Sequence, residues 1–211
     1  MHDDVADRVR LERHLRHALD DNELSVAFQP IYTALDRRLA GFETLVRWDG
    51  PDGWVDPGLF VRLAEDTGLV GLMGDWVLES ATDFMTLLSR RGLAHIALSV
   101  NLSSIQLGDP MLPARVAELV SRMGAPPRQL MLEITETALL AEPDLTRERL
   151  HELRACGVRV ALDDFGTGAG AEGAAVAGAP ATPARTRASA AAADVMNRCM
   201  RVPSRCLPEP A

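Results

Sequence analysis

Three continuous apolar segments, 96–101, 130–135 and 158–162, are separated by stretches in which apolar residues recur at helical spacing, 111–123 and 145–155. Strands that read as unbroken apolar runs are buried on both faces, and two parallel strands need a crossover, usually a helix, to join them. The β-then-α alternation therefore restricts the chain to a parallel α/β sheet covered by helices, either closed as a barrel or open and doubly wound. Upstream, 25–33 and 39–48 carry β-branched and aromatic residues bounded by the turn-like DRR and DGPDG, which predicts two more strands. Helices are expected over 57–66 and 73–90, and Val5, Val9, Leu11, Leu15 and Leu19 mark an amphipathic lead-in helix within 1–23.

The pattern stops after Gly168. Residues 169–211 are about one-third alanine, with five arginines, one leucine and no Ile, Phe, Trp or Tyr. Alanine buries too little apolar surface to offset the entropy of ordering such a segment, so a low-complexity, disordered tail is expected there. At 47% hydrophobic and 25% charged over 211 residues, the remainder suffices for one sizeable core. A net charge of -8 argues against a DNA or RNA polymer or an anionic membrane surface as partner, while leaving room for a local basic pocket.

No window approaches the roughly 18 unbroken apolar residues of a membrane span, and the charged 1–21 segment lacks a signal-peptide core, so the expected location is cytoplasmic. Cys156, Cys199 and Cys206 have neither C-x-x-C nor zinc spacing and read as reduced thiols. All 22 basic residues are arginine. His14 and His17 could face a metal together, but three-residue spacing among arginines fits a solvated face better. Gly168, Gly170 and Gly173 with Asp194 imitate a dinucleotide fingerprint, yet no second strand leads to the acidic residue, and Asp163 and Asp164 would repel a pyrophosphate.

A stronger constellation is Glu43, then Asn101, then Glu133 with Glu136, then Asp163 with Asp164, read as polar residues at the C-terminal ends of successive strands. In parallel α/β folds those ends form one mouth, where sites gather. Carboxylates brought together there require cations, and hard oxygen donors with one amide suit Mg²⁺ or Mn²⁺. Two such ions clamp a phosphodiester while water attacks in line. Taken singly, Asp164 could cap a helix, Asn101 a turn and Glu136 a surface face; the recurrence is what points to a metal site.

The segments FQPIYTALDRRLAGFETLVRW, GLFVRLAEDTGLV, LSVNLSSIQL, LMLEITETALL and GVRVALDDFGTG, in this order over 24–168, resemble the EAL domain, a family of cyclic di-GMP phosphodiesterases. The resemblance implies a TIM-like (β/α) barrel, of which about five of eight strands are accounted for, and Mg²⁺- or Mn²⁺-dependent opening of cyclic di-GMP to linear pGpG. By position it implies metal ligands at Glu43, Asn101, Glu133 and Asp163, with Asp164 at the second metal. It further implies substrate contacts at Gln29 and Arg47, and a loop-steadying role for Glu136. The catalytic group would then be Glu43, Asp163, Asp164 and Glu136.

Two departures stand out. The signature tripeptide is Glu43-Thr44-Leu45, with threonine in place of alanine, which is expected to crowd the strand. The family pattern also continues past DDFGTG with a water-orienting lysine, a further metal-binding glutamate and the closing strands, none of which 169–211 resembles. The switch to Ala, Arg and Pro is read as a C-terminal truncation or frameshift. Hydrolysis is therefore expected to be impaired, with two alternatives: a non-catalytic module binding cyclic di-GMP or a protein, or a non-functional remnant. A homodimer and an upstream signalling domain, reached through the lead-in helix, are the protein partners that remain open.

Overall fold

Strand β2 organises the sheet. The computed structural model describes residues 2–21, 23–50, 52–135, 143–163 and 202–203, the side chains of 2–7, 163 and 202–203 excepted. Among the described residues the strands are β1 (Leu24–Tyr32), β2 (Leu39–Gly50), β3 (Gly53–Val55), β4 (Ala97–Leu102), β5 (Leu130–Thr135), β6 (Arg159–Asp163) and β7 (Val202–Pro203). They lie in the order β6-β5-β4-β2-β1-β7, with β3 paired to β2. The helices are α1 (His2–Asp21), α2 (Pro57–Thr67), α3 (Val70–Arg90), α4 (Ser104–Gly108), α5 (Leu112–Arg122) and α6 (Pro143–Ala155), with a 3-10 turn at Pro127–Gln129.

β2, β4, β5 and β6 form a parallel block. β1 is antiparallel to β2, from Leu24 opposite Trp48 to Tyr32 opposite Leu39. The reason is the connection over 33–38, which is too short for a crossover and closes instead as a hairpin, with Arg37 at φ 54. The result is a mixed α/β sheet of the kind that opens a TIM-like barrel, and its five main strands are the five expected. The short elements that were not expected are β3, which folds back from the glycine turn at Gly53 (φ 105), α4, the 3-10 turn, and β7, which falls in the segment expected to be a disordered tail. In 169–211, Val202 and Pro203 lie opposite Val26 and Ser25 along β1; the rest of that segment, including the Gly170, Gly173 and Asp194 pattern, lies outside the described residues.

Side-chain alternation divides the sheet. Val26, Phe28, Phe42, Leu98, Val100, Leu102, Leu130, Leu132 and Ile134 point to the helices and share one core with Leu78, Phe84 and Met85 of α3 and Val116 of α5. Phe84 anchors it, stacking on Phe28 with ring centroids 3.8 Å apart and meeting Phe42 edge-on at 5.4 Å. A second cluster gathers Leu15 and Ala18 of α1, Leu24, Trp48, and Phe60 and Leu63 of α2. Arg8 and Arg10 on α1 pair with Asp66 and Asp52, so the lead-in helix is docked on the hairpin and α2. His14 is half-buried and His17 exposed on that helix. No helix among the described residues is long and apolar enough to cross a membrane.

α2 starts where Asp56 accepts from the Gly58 N–H at 2.6 Å with Pro57 at its first turn, and it ends at Gly68 in the left-handed region (φ 74). The start of α5 is held electrostatically. Asp109 Oδ1 accepts from the Met111 N–H at 2.9 Å, and Arg115 reaches Asp109 at 2.7 Å and Asp75 of α3 at 2.8 Å.

Thr44 faces the helix side, is 4% exposed, and its Oγ1 has no hydrogen-bond partner among the described residues. Replacing an unsatisfied buried hydroxyl by a methyl of the same shape removes a desolvation cost. Thr44→Val is therefore expected to stabilise the chain by about 1 kcal/mol, seen as a rise of about 2–4 °C in melting temperature. For Asp109, the Met111 N–H and then Arg115 hold the carboxyl below its ordinary value. A depressed folded pKa gives stability that is present above the unfolded value and lost as pH falls through the folded one. Asp109→Asn should accordingly melt below the parent at neutral pH, by less than about 1 kcal/mol for so exposed a pair, and the gap should close in acid below the ordinary aspartate range.

Candidate functional site

The sheet face turned away from the core carries the polar residues. Its composition follows from register: Gln29 lies opposite Glu43, Glu43 opposite Ser99, Asn101 opposite Glu133, and Thr135 opposite Asp163. Arg47 is four residues beyond Glu43 on the same face of β2 and is half-buried, its Nη1 donating to the Val46 carbonyl at 2.9 Å. Glu43 is not at a strand end as expected. β2 runs on to Gly50 because, beyond its ladder with β4, it continues to pair with β1 and β3.

Two local devices set the geometry. At Gly41 a Cβ would stand 2.8 Å from the Ala97 carbonyl oxygen, so only glycine lets β2 approach β4 this closely. Past Asn101, Ser103 caps α4 in a capping box: Ser103 Oγ accepts from the Gln106 N–H at 3.2 Å and Gln106 Oε1 from the Ser103 N–H at 3.1 Å. The Gln106 side chain is buried against α3, where a Cβ at Gly74 would fall 1.7 Å from its Nε2. Ser103, Gln106 and Gly74 thus fix the turn that follows Asn101. The sequence reading missed them, although the S-x-x-Q spacing is a legible cap signal.

Glu43 and Asn101 meet directly, with Asn101 Nδ2 donating to Glu43 Oε1 at 3.3 Å. That orientation leaves the Asn101 amide oxygen available as a donor to a cation. Glu133, 1% exposed, is the next side chain across the ladder. Ser99, also 1% exposed, lies between the rows as a buried hydroxyl that sequence reasoning did not single out. Glu136 and Asp164 lie outside the described residues, as does the side chain of Asp163. Among the described residues no three His, Cys, Asp or Glu side chains form a metal-holding group. The donors that are described, two carboxylates and an amide, are all hard oxygen ligands and fit Mg²⁺ or Mn²⁺ rather than a thiophilic metal.

Comparison with known proteins identifies the family and the fold. The profile of the EAL domain matches residues 12–172. The chain is 43% identical over 169 residues to an uncharacterized signaling protein of Caulobacter vibrioides, covering 80% of this chain and 20% of that protein. It is 36% identical over 169 residues to the bifunctional diguanylate cyclase/cyclic di-GMP phosphodiesterase MucR of Pseudomonas aeruginosa, covering 80% of this chain and 25% of MucR. The solved PaMucR phosphodiesterase in complex with c-di-GMP superposes with a TM-score of 0.72 at 38% identity, covering 75% of this chain and 65% of that one. The chain therefore spans a quarter or less of these two curated relatives.

Because Gly74 leaves the space that the Gln106 amide occupies, Gly74→Ala should displace α4 and the turn beyond Asn101. Overpacking of this kind costs about 1–3 kcal/mol. The expected result is a lower melting temperature that the double substitution Gly74→Ala/Gln106→Ala partly restores.

Proposed function

The chain belongs to the EAL domain family, and on that premise we propose that it binds cyclic di-GMP with Mg²⁺ or Mn²⁺ at the mouth of its sheet and that, on its own, it hydrolyses the dinucleotide negligibly. The observation that carries this reading is the Glu43–Asn101 contact with Glu133 beside it, an oxygen-donor row on three adjacent parallel strands. In this reading Glu43, Asn101, Glu133 and Asp163 hold cations, Asp164 reaches a second one, and Glu136 steadies the neighbouring loop. Cations bound there would neutralise the phosphodiester and make water a better nucleophile.

The remaining steps belong to the protein's own side chains. Arg47 offers planar paired donors to a phosphate oxygen, and Gln29, across from Glu43, offers an amide to the rest of the ligand. Asn101 holds the Glu43 carboxylate in place through its amide N–H. The family resemblance implies a lysine to orient the attacking water, and all 22 Lys and Arg positions here are arginine. The donor row with Arg47 supports binding, and the missing lysine is the ground for expecting little turnover. The same reading places the chain in the cytoplasm, with an upstream signalling domain or a second copy as protein partner.

Calorimetry with cyclic di-GMP in Mn²⁺ tests the proposal, together with chromatography for pGpG. Binding is expected for the parent, with at least about tenfold loss in Arg47→Ala, since a hydrogen bond to a charged group contributes about 1.5–3 kcal/mol. Mn²⁺ alone should raise the melting temperature of the parent and of Glu118→Gln, whose side chain is exposed on α5, but not of Glu43→Gln. Formation of pGpG that Glu43→Gln abolishes would overturn the impaired-turnover half. Absence of nucleotide binding by a chain shown to be folded by circular dichroism would overturn the binding half.

A further inference from the structure

The opposite end of the sheet presents different chemistry. A cavity of about 680 Å³ opens at the N-terminal ends of β4, β5 and β6, lined among others by Ala94, His95, Ala97, Arg128, Gln129 and Arg159. Ala97 is four residues before Asn101 on β4, so at about 3.3 Å per residue the cavity lies about 13 Å from the Glu43–Asn101 contact. It does not belong to the site described above.

The lining of this cavity carries Arg128, Arg159 and His95 and no Asp or Glu. The three segments that converge there, 89–97, 122–131 and 153–162, contain Arg90, Arg91, His95, Arg122, Arg128, Arg154 and Arg159 and not one Asp or Glu, in a chain whose net charge is -8. Arg90, Arg122 and Arg154 fall in the last turns of α3, α5 and α6, where a cation complements the helix dipole and needs no other explanation. Arg128 and Arg159 have no such explanation. Arg159 opens β6, Arg128 sits in the one-turn 3-10 segment, both are exposed, and neither forms an ion pair among the described residues. Between them Gln129 is 7% exposed, lines the cavity, and its side-chain amide makes no hydrogen bond among the described residues. The amide atoms are open to the cavity rather than sealed in the core, so they can donate to and accept from a ligand there.

We propose that this cavity is a second binding site, for a small phosphorylated molecule of nucleoside-monophosphate size. Two guanidiniums supply paired planar donors to phosphate oxygens, His95 adds a ring donor, and the Gln129 amide fixes the orientation of the ligand. Ala94, Ala97 and Pro126 give the organic part an apolar wall. The volume falls within the range of about 300–1,000 Å³ usual for small-ligand sites. A polyanion is disfavoured because beyond this patch its phosphates would meet the acidic remainder of the surface.

The test uses the full chain. Inorganic phosphate and guanosine monophosphate are titrated at constant ionic strength and followed by thermal shift and calorimetry, in the parent, in Arg128→Gln/Arg159→Gln, in Gln129→Leu and in Asp20→Asn. Both arginines are exposed, so their replacement is expected to leave the fold intact, and circular dichroism checks this. The expected result is stabilisation by phosphate, stronger with the nucleotide, with the dissociation constant at least about tenfold weaker in the double arginine variant. Gln129→Leu should also weaken binding, while Asp20→Asn, a control at an exposed position on α1, should bind as the parent does. An unchanged response in the double arginine variant overturns the proposal, as does an equal response to chloride at the same ionic strength. So does binding of anionic vesicles or duplex DNA with no response to phosphate or nucleotide.

Discussion

The close approach of β2 to β4 at Gly41 is the constraint on which the rest of the structure depends. Only four residue pairs, Gly41–Ala97 through Thr44–Val100, join the antiparallel hairpin to the parallel block. A side chain at position 41 would meet the Ala97 carbonyl at 2.8 Å and push the two halves apart. This short ladder carries Glu43 on one face and Phe42 on the other. It therefore positions a candidate ligand and locks the hairpin into the Phe28–Phe84–Phe42 aromatic group at the same time.

Register transmits that constraint across the sheet. Because side chains alternate with a period of two, a one-residue slip anywhere in the ladder would send Glu43, Asn101 and Glu133 into the helix-side core and expose Phe42, Val100 and Leu132. The hydrophobic core thus specifies the polar face, and the site needs little stabilisation of its own beyond the Glu43–Asn101 hydrogen bond. Thr44 is the position where the two demands conflict, since it sits on the core face with a hydroxyl that finds no partner among the described residues.

The sequence makes the five main strands legible because three are apolar runs and two carry β-branched and aromatic residues between turn signals, and five of the helices because their apolar residues repeat at helical spacing. Helix ends were less legible. α3 begins at Val70, ahead of the expected 73, since the preceding Gly68 already ends α2 and Leu69 and Val70 are buried in the second core. α4 was invisible because five residues are too few to show a period, although Ser103 and Gln106 announced its cap. Glu43, Asn101 and Glu133 could be named because polar residues interrupt apolar strands there. Their mutual distance could not, because it depends on the Gly41 approach and on the Gln106 wedge against Gly74, both of which are contacts between elements distant in sequence.

The two ends of the sheet differ in what their residue types can do. At the mouth, Glu43 and Glu133 are charges that attract cations, and Arg47 is a charge that attracts phosphate. At the other end, Arg128 and Arg159 line a cavity together with Gln129, and no Asp or Glu is in its lining. In the two readings proposed above, a phosphate-bearing ligand would be held at one end through cation-binding oxygens and at the other through guanidiniums with His95 and Gln129. Arginine serves such recognition well because it is permanently charged and planar. The same permanence disqualifies it from proton transfer, which lysine or histidine performs only by losing its proton at accessible cost. All 22 Lys and Arg positions of this chain are arginine, so it has many groups suited to holding a phosphodiester, and the lysine that the family resemblance implies for turnover is not among them.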